Sequence, residues 1–205
     1  MFRFAYTARW PVRAAALSYF FGCVSVVPAF LIEAVWNVYV PESRISNVLE
    51  LPLWACPVEE WAKLLAALLT ARLLNLAPHR RSFVALAVSA SLGFAAAETL
   101  LFVMERGAEI LPLRVLISMP AHVSFTLFAA VGLAGSRTRQ VTRRTFWGWW
   151  FLSSVAHTAF SAPLVFDPDV SLLLPILLMA AFLTGAGLLA TVRLRRRRIV
   201  DSSRR

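Results

Sequence analysis

With 205 residues, 59% of them apolar and only 16% charged, the chain is too apolar for a soluble domain and too often interrupted for a single membrane anchor. The net charge of +10 would suit nucleic acid, but the arginines sit at the edges of apolar runs and there is no basic, aromatic-interleaved soluble segment, so nucleic acid is set aside as a partner. The expectation is an all-α, polytopic membrane protein with no soluble domain at either end.

Arg3, Arg9 and Arg13 precede an apolar run from Ala14 to Trp36, longer than the core of a signal peptide, which predicts an uncleaved first span. Glu33 near its end reads as a headgroup-level carboxylate. A slightly acidic loop follows, then a second span from Leu51 to Leu76, entered through Pro52 and Pro57. His79, Arg80 and Arg81 form a basic connection to a third span, Ser82 to Met104, with Glu98 inside it. A near-neutral connection leads to a fourth span, Leu111 to Gly135, which holds His122 and which Pro120 should kink.

The most basic internal loop carries Arg137, Arg139, Arg143 and Arg144. The fifth span, Phe146 to Phe166, opens with Trp147, Trp149 and Trp150, which read as an interfacial belt. After the acidic turn Asp167-Pro168-Asp169 comes a sixth span, Val170 to Val192, and an Arg-rich tail. Basic and non-basic ends alternate throughout, so the positive-inside rule gives about six transmembrane helices with both termini cytoplasmic. Residues 1–192 are expected to form one six-helix domain of a multi-pass cell-membrane protein, and residues 193–205 a disordered, lipid-facing basic segment. Cys23 and Cys56 fall at different depths, which argues against a disulfide.

The second span opens on Cys56-Pro57-Val58-Glu59-Glu60-Trp61-Ala62-Lys63, two carboxylates and an amine at the start of an apolar run. A charge at a bilayer centre costs about 2.5 to 3.5 kcal/mol on insertion scales, so these groups must be paired or useful. Glu59 and Lys63, at i and i+4, share a helix face in the better orientation for a pair, while Glu60 points about 100° away. Of 21 basic residues Lys63 alone is lysine, which hints that an ammonium fits there and a guanidinium does not.

At about 1.5 Å per residue, Glu59 and Glu98 lie about 12 Å below the outer boundary, His122 about 16 Å and His157 about 15 Å, in a hydrocarbon core of about 30 Å. Four residues on four helices thus form one layer near the midplane, the pattern of a functional site. Thr126 and Ser161 follow the two histidines by four, placing a hydroxyl on each imidazole's own face. Phe94, one turn before Glu98, is placed to wall that carboxylate from lipid. Gly93, Gly132 and Gly135 permit close helix approach, and Arg72 and Arg114 are near enough to span ends to snorkel.

Four motifs occur in order on these spans: Pro57-Val58-Glu59-Glu60-Trp61-Ala62-Lys63, Gly93-Phe94-Ala95-Ala96-Ala97-Glu98, Arg114 through Pro120 to His122 and Thr126, and His157 in a late helix. Together they resemble the PrsW-type intramembrane protease family, itself related to the CAAX-processing and bacteriocin-processing (CPBP) proteases. Thr99 and Ser161 depart from it, standing where the family often has Asn, and Asn or Asp. The resemblance implies an intramembrane endopeptidase of a bacterial plasma membrane, acting on a membrane-protein substrate such as a single-span, anti-sigma-like protein.

On this reading Glu59 is the general base that activates water and Glu60 or Lys63 tunes it. The resemblance further implies that Glu98 helps hold the water, and that His122 and His157 stabilise the oxyanion or protonate the leaving amine. Lys63, Thr126 and Ser161 support them. No cofactor is required in this scheme; zinc is the alternative, with Glu59, Glu98, His122 and His157 as candidate ligands. Two other classes fit an intramembrane polar layer: a proton-coupled transporter, and a catalytically silent scaffold or immunity-type membrane protein.

Overall fold

The computed structural model describes residues 12–40, 54–76, 80–137 and 142–166. All the regular structure among them is helical. Helix α1 is Val12–Tyr39, α2 Cys56–Leu73, α3 Arg80–Arg106, α4 Met119–Arg137 and α5 Arg143–Phe166. The predicted sixth span, the acidic turn and the Arg-rich tail lie outside the described residues. The chain divides into two compact units, Met1–Thr158 and Ala159–Arg205. Of the second, only the last turns of α5 are described.

Among the described residues, three stretches are long and apolar enough to cross a membrane: Val12–Trp36, Ser82–Arg106 and Ala108–Ala134. The outward side of α1 leaves Val24, Val27, Phe30, Leu31 and Val35 exposed. In water such a stripe would be a liability, whereas against lipid it is the ordinary exterior.

Inside, the packing is that of a membrane bundle. Helix α3 lies against α1, α2 and α4, and α1 against α2. The core is built largely of alanine, with Ala66, Ala67, Ala87, Ala90, Ala129 and Ala130 among its buried members. Lipid is as apolar as leucine, so helices associate here by close backbone approach and shared hydrogen bonds. Ser18 Oγ donates to the Leu86 carbonyl at 2.8 Å, joining α1 to α3, and Ser153 Oγ reaches the Phe125 carbonyl at 2.7 Å, joining α5 to α4.

The α1–α3 crossing is the tightest. A side chain at Gly93 would strike the Tyr19 backbone, and one at Gly22 the backbone of Ala90. Backbone cannot move aside as a side chain can, so Gly93→Val is expected to cost about 3 kcal/mol, the upper end of overpacking penalties. A detergent melting curve measures it, and an unchanged midpoint would contradict so close a crossing. Gly132 makes its close approach to the Trp149 side chain.

Helix α2 opens with Pro57 in its first turn, where the missing N–H costs nothing. It closes on Asn75, whose φ of 47° is left-handed. The Leu76 N–H bonds the Ala71 carbonyl at 2.9 Å and the Asn75 N–H the Arg72 carbonyl at 3.2 Å, which is the Schellman pattern.

The fourth span is irregular near its proline. Its irregularity precedes Pro120: a 3-10 turn Ala108–Ile110, a single α turn Leu111–Leu113 and a π turn Arg114–Ser118 lead into α4. A proline ring clashes with the carbonyl four residues back, and a widened turn at that point relieves the clash. The three tryptophans of the expected belt differ in exposure and packing. Trp147 is half exposed, but Trp150 packs on Trp61 with ring centroids 5.7 Å apart, and Trp149 stacks on Phe128 at 5.9 Å.

Candidate active site

The predicted layer closes into one cluster within the first unit, with Glu59, Glu60 and Lys63 on α2, Glu98 on α3, His122 and Thr126 on α4, and Ser153 and His157 on α5. Glu60 and Lys63 are completely buried, and the two histidines nearly so. Glu59 and Glu98 each keep about a tenth of their side-chain surface exposed.

Lys63 Nζ lies 3.3 Å from Glu59 Oε2, 2.9 Å from Glu60 Oε1 and 3.0 Å from His122 Nδ1. The expected Glu59–Lys63 pair is therefore present, but the lysine's long stem also reaches Glu60. Phe94 covers the ammonium, its ring centroid 4.5 Å away.

Glu60 is fully engaged. Its Oε1 meets Lys63 and His157 Nδ1, the latter at 3.1 Å; its Oε2 accepts from Thr126 Oγ1 at 2.9 Å and from Ser153 Oγ at 3.1 Å. Ser153 has one proton, which it shares between Glu60 and the Phe125 carbonyl.

Donor and acceptor chemistry assigns both imidazoles. An ammonium only donates, so His122 Nδ1 offers a lone pair to Lys63 and its proton sits on Nε2, 2.9 Å from Glu98 Oε2. A carboxylate only accepts, so His157 donates from Nδ1 to Glu60 and turns the lone pair of Nε2 toward Glu59 Oε2 at 3.7 Å. Each histidine thus gives one ring proton to a carboxylate and turns its other nitrogen inward, the arrangement that orients imidazoles on metal ions. His122 Nδ1 is 3.9 Å from Glu59 Oε2, and one ligand atom from each of Glu59, His122 and His157 lies within 4.8 Å of the others. Three lone-pair atoms thus converge, two of them already meeting the Lys63 ammonium. These residues could hold a metal ion; Glu98, also predicted as a ligand, stands behind His122 instead.

Three placements lay beyond the sequence reading. Arg114 does not snorkel: it pairs with Glu98 and sits over the Phe102 ring, 4.4 Å from its centroid. The π turn adds a residue to the register and so swings Arg114 by about 100° relative to α4. Thr126 serves Glu60 and not its own helix's histidine. Ser153, one turn before His157, was missed, although its i–4 spacing was a signal. Ser161 is half-buried in the second unit. Thr99 is buried, and its hydroxyl has no hydrogen-bond partner among the described residues.

A bundle that hides charged residues and two histidines inside apolar helices defines a membrane protein with a polar reaction centre. The family model for PrsW family intramembrane metalloproteases matches residues 10–192, and the chain belongs to that family. It is accordingly an intramembrane protease, acting on membrane-protein substrates in the bilayer. No curated protein and no solved structure matches it. The family is one of metalloproteases and a fitting ligand cluster is present, so the expectation that no cofactor is required is not supported.

Proposed function

We propose that the chain is a zinc-dependent intramembrane endopeptidase whose metal is held by Glu59, His122 and His157. The observation that carries this reading is the convergence of Glu59 Oε2, His122 Nδ1 and His157 Nε2. Imidazole nitrogen and carboxylate oxygen are ligands zinc accepts, and three protein ligands leave a position for water. Bound there, zinc supplies a Lewis acid that polarises the scissile carbonyl and eases deprotonation of water.

The chain's own groups do the rest. Glu59, the more exposed member of the acid pair, serves the metal through Oε2 and takes the proton of the attacking water on its other oxygen as the water oxygen bonds to the carbonyl carbon. When the C–N bond breaks, the same carboxylate returns that proton to the leaving amine. Glu60, with every acceptor position occupied, orients His157 and anchors Lys63. Glu98, itself paired with Arg114, orients His122. An apolar groove of about 1190 Å³ between α1 and α2, lined by Phe21, Pro28, Ile32, Val58 and Ala62 among others, suits a lipid-embedded peptide. The finer assignments are proposals of the same kind. They are six spans in one domain over residues 1–192, both termini cytoplasmic, a basic tail from 193 to 205, a bacterial plasma membrane, and a single-span, anti-sigma-like substrate.

Protein purified without chelator is expected to carry about one zinc per chain, lost in His157→Ala. Elemental analysis checks this, and zinc retained by that variant would remove the proposed ligand set. Comparing protein N-termini in membranes of cells expressing wild type or Glu59→Gln identifies substrates. New termini in or beside membrane segments, present only with wild type, are the expected result. Identical termini would return weight to the scaffold and transporter readings.

A further inference from the structure

Two cations have claims on the same atoms. The Lys63 ammonium has three protons and three partners, Glu59 Oε2, Glu60 Oε1 and His122 Nδ1, and no acceptor of its own. Two of those partner atoms, Glu59 Oε2 and His122 Nδ1, belong to the set that converges with His157 Nε2. An imidazole nitrogen has one lone pair. While His122 Nδ1 accepts from Lys63 it cannot bind a metal, and Nε2 cannot replace it because its proton goes to Glu98.

We infer that Lys63 is an internal cation that closes the metal site when the metal is absent, and that it withdraws from His122 and Glu59 when the metal enters. This rests on the zinc reading of the site. Glu60 Oε1 and the Phe94 ring are the holding position after withdrawal, since neither is a proposed ligand. In the metal-free chain the ammonium removes the penalty of buried carboxylates facing one another in a lipid-embedded bundle. Its cost is metal affinity, because a cation entering beside Glu59 must first displace one already there. The device also accounts for the single lysine among 21 basic residues. A compact ammonium on a flexible stem can retract by rotating its stem, whereas a planar guanidinium fork could not do so in the same space.

That single lysine makes the exchange measurable. Protein grown with lysine labelled with carbon-13 at Cε has one side-chain lysine signal, which is expected to move as zinc is added to chelator-stripped wild type and to stop at one zinc per chain. In competition with a chromophoric chelator, Lys63→Met and Lys63→Gln are expected to bind zinc at least about tenfold more tightly than wild type. If zinc binds one per chain while the lysine signal stays in place, or if the neutral variants bind no more tightly, the exchange is overturned and the zinc site stands. If wild type takes up no zinc, both fall. Should Lys63→Met fail to fold, Lys63→Gln, which keeps a donor for Glu60, supplies the affinity comparison, and the spectroscopic arm needs wild type alone.

Discussion

Glu59→Gln is expected to lower the rate of substrate cleavage by about 10²- to 10⁴-fold, the range that a positioned general acid–base contributes, while leaving the fold in place. The amide is nearly isosteric with the carboxylate but takes up no proton and is a weaker ligand for a metal, so the proton transfers at both ends of the reaction are lost together with part of the metal's hold. Stability should change little, by about 1 kcal/mol or less, because Glu59 is the partly exposed acid of the pair and Lys63 keeps Glu60 and His122. Cleavage of an identified substrate in proteoliposomes, with melting curves of both proteins, measures the two quantities. Cleavage at the wild-type rate would move the base elsewhere. A collapse of the fold would mean that Glu59, and not Glu60, is the structural member.

Glu60→Ala is expected to do the opposite, unfolding the bundle before any question of catalysis arises. Removing that side chain takes a carboxylate from a completely buried ion pair with Lys63 at 2.9 Å, and strips partners from Thr126, Ser153 and His157. Breaking a buried pair on one side costs about 3–5 kcal/mol, much of it the price of the charge left behind. Glu60→Gln, which keeps the shape and one acceptor oxygen, should lie between wild type and Glu60→Ala. Melting in detergent and yield of monodisperse protein report the order. A Glu60→Ala protein as stable as wild type would show that the four contacts to this carboxylate do not hold the site together.

The contrast between adjacent glutamates marks where sequence reasoning stops. The Glu59–Glu60–Lys63 spacing predicts paired charge inside an apolar run, where insertion costs disfavour an unpaired one, and the pairs are present. Spacing could not say that Glu60 would be enclosed by hydroxyls from α4 and α5, because Thr126 and Ser153 lie 66 and 93 residues further along the chain. Arg114 shows the same boundary. Near a span end it reads as a snorkelling cation, and only the π turn before Pro120, an irregularity without periodic signature, turns it toward Glu98. Thr126 shares a helix face with His122 by spacing alone, but its bond goes to Glu60 on α2, since a face of one helix is shared with whatever packs against it.

By itself the sequence determined the helical, membrane-embedded class, and it set an expected depth for each polar residue inside an apolar run. Hydropathy and helical rise are local properties, and 1.5 Å per residue turns position in a span into depth. Glu59, Glu98, His122 and His157, read from four separate segments, do meet. The tertiary structure alone decided which nitrogen of each histidine faces inward, which glutamate is enclosed, and that Lys63 reaches two of the three atoms proposed to hold the metal. Those depend on the azimuth of each helix about its own axis, which is set by the alanine and glycine contacts between helices and leaves no trace in any one segment's pattern.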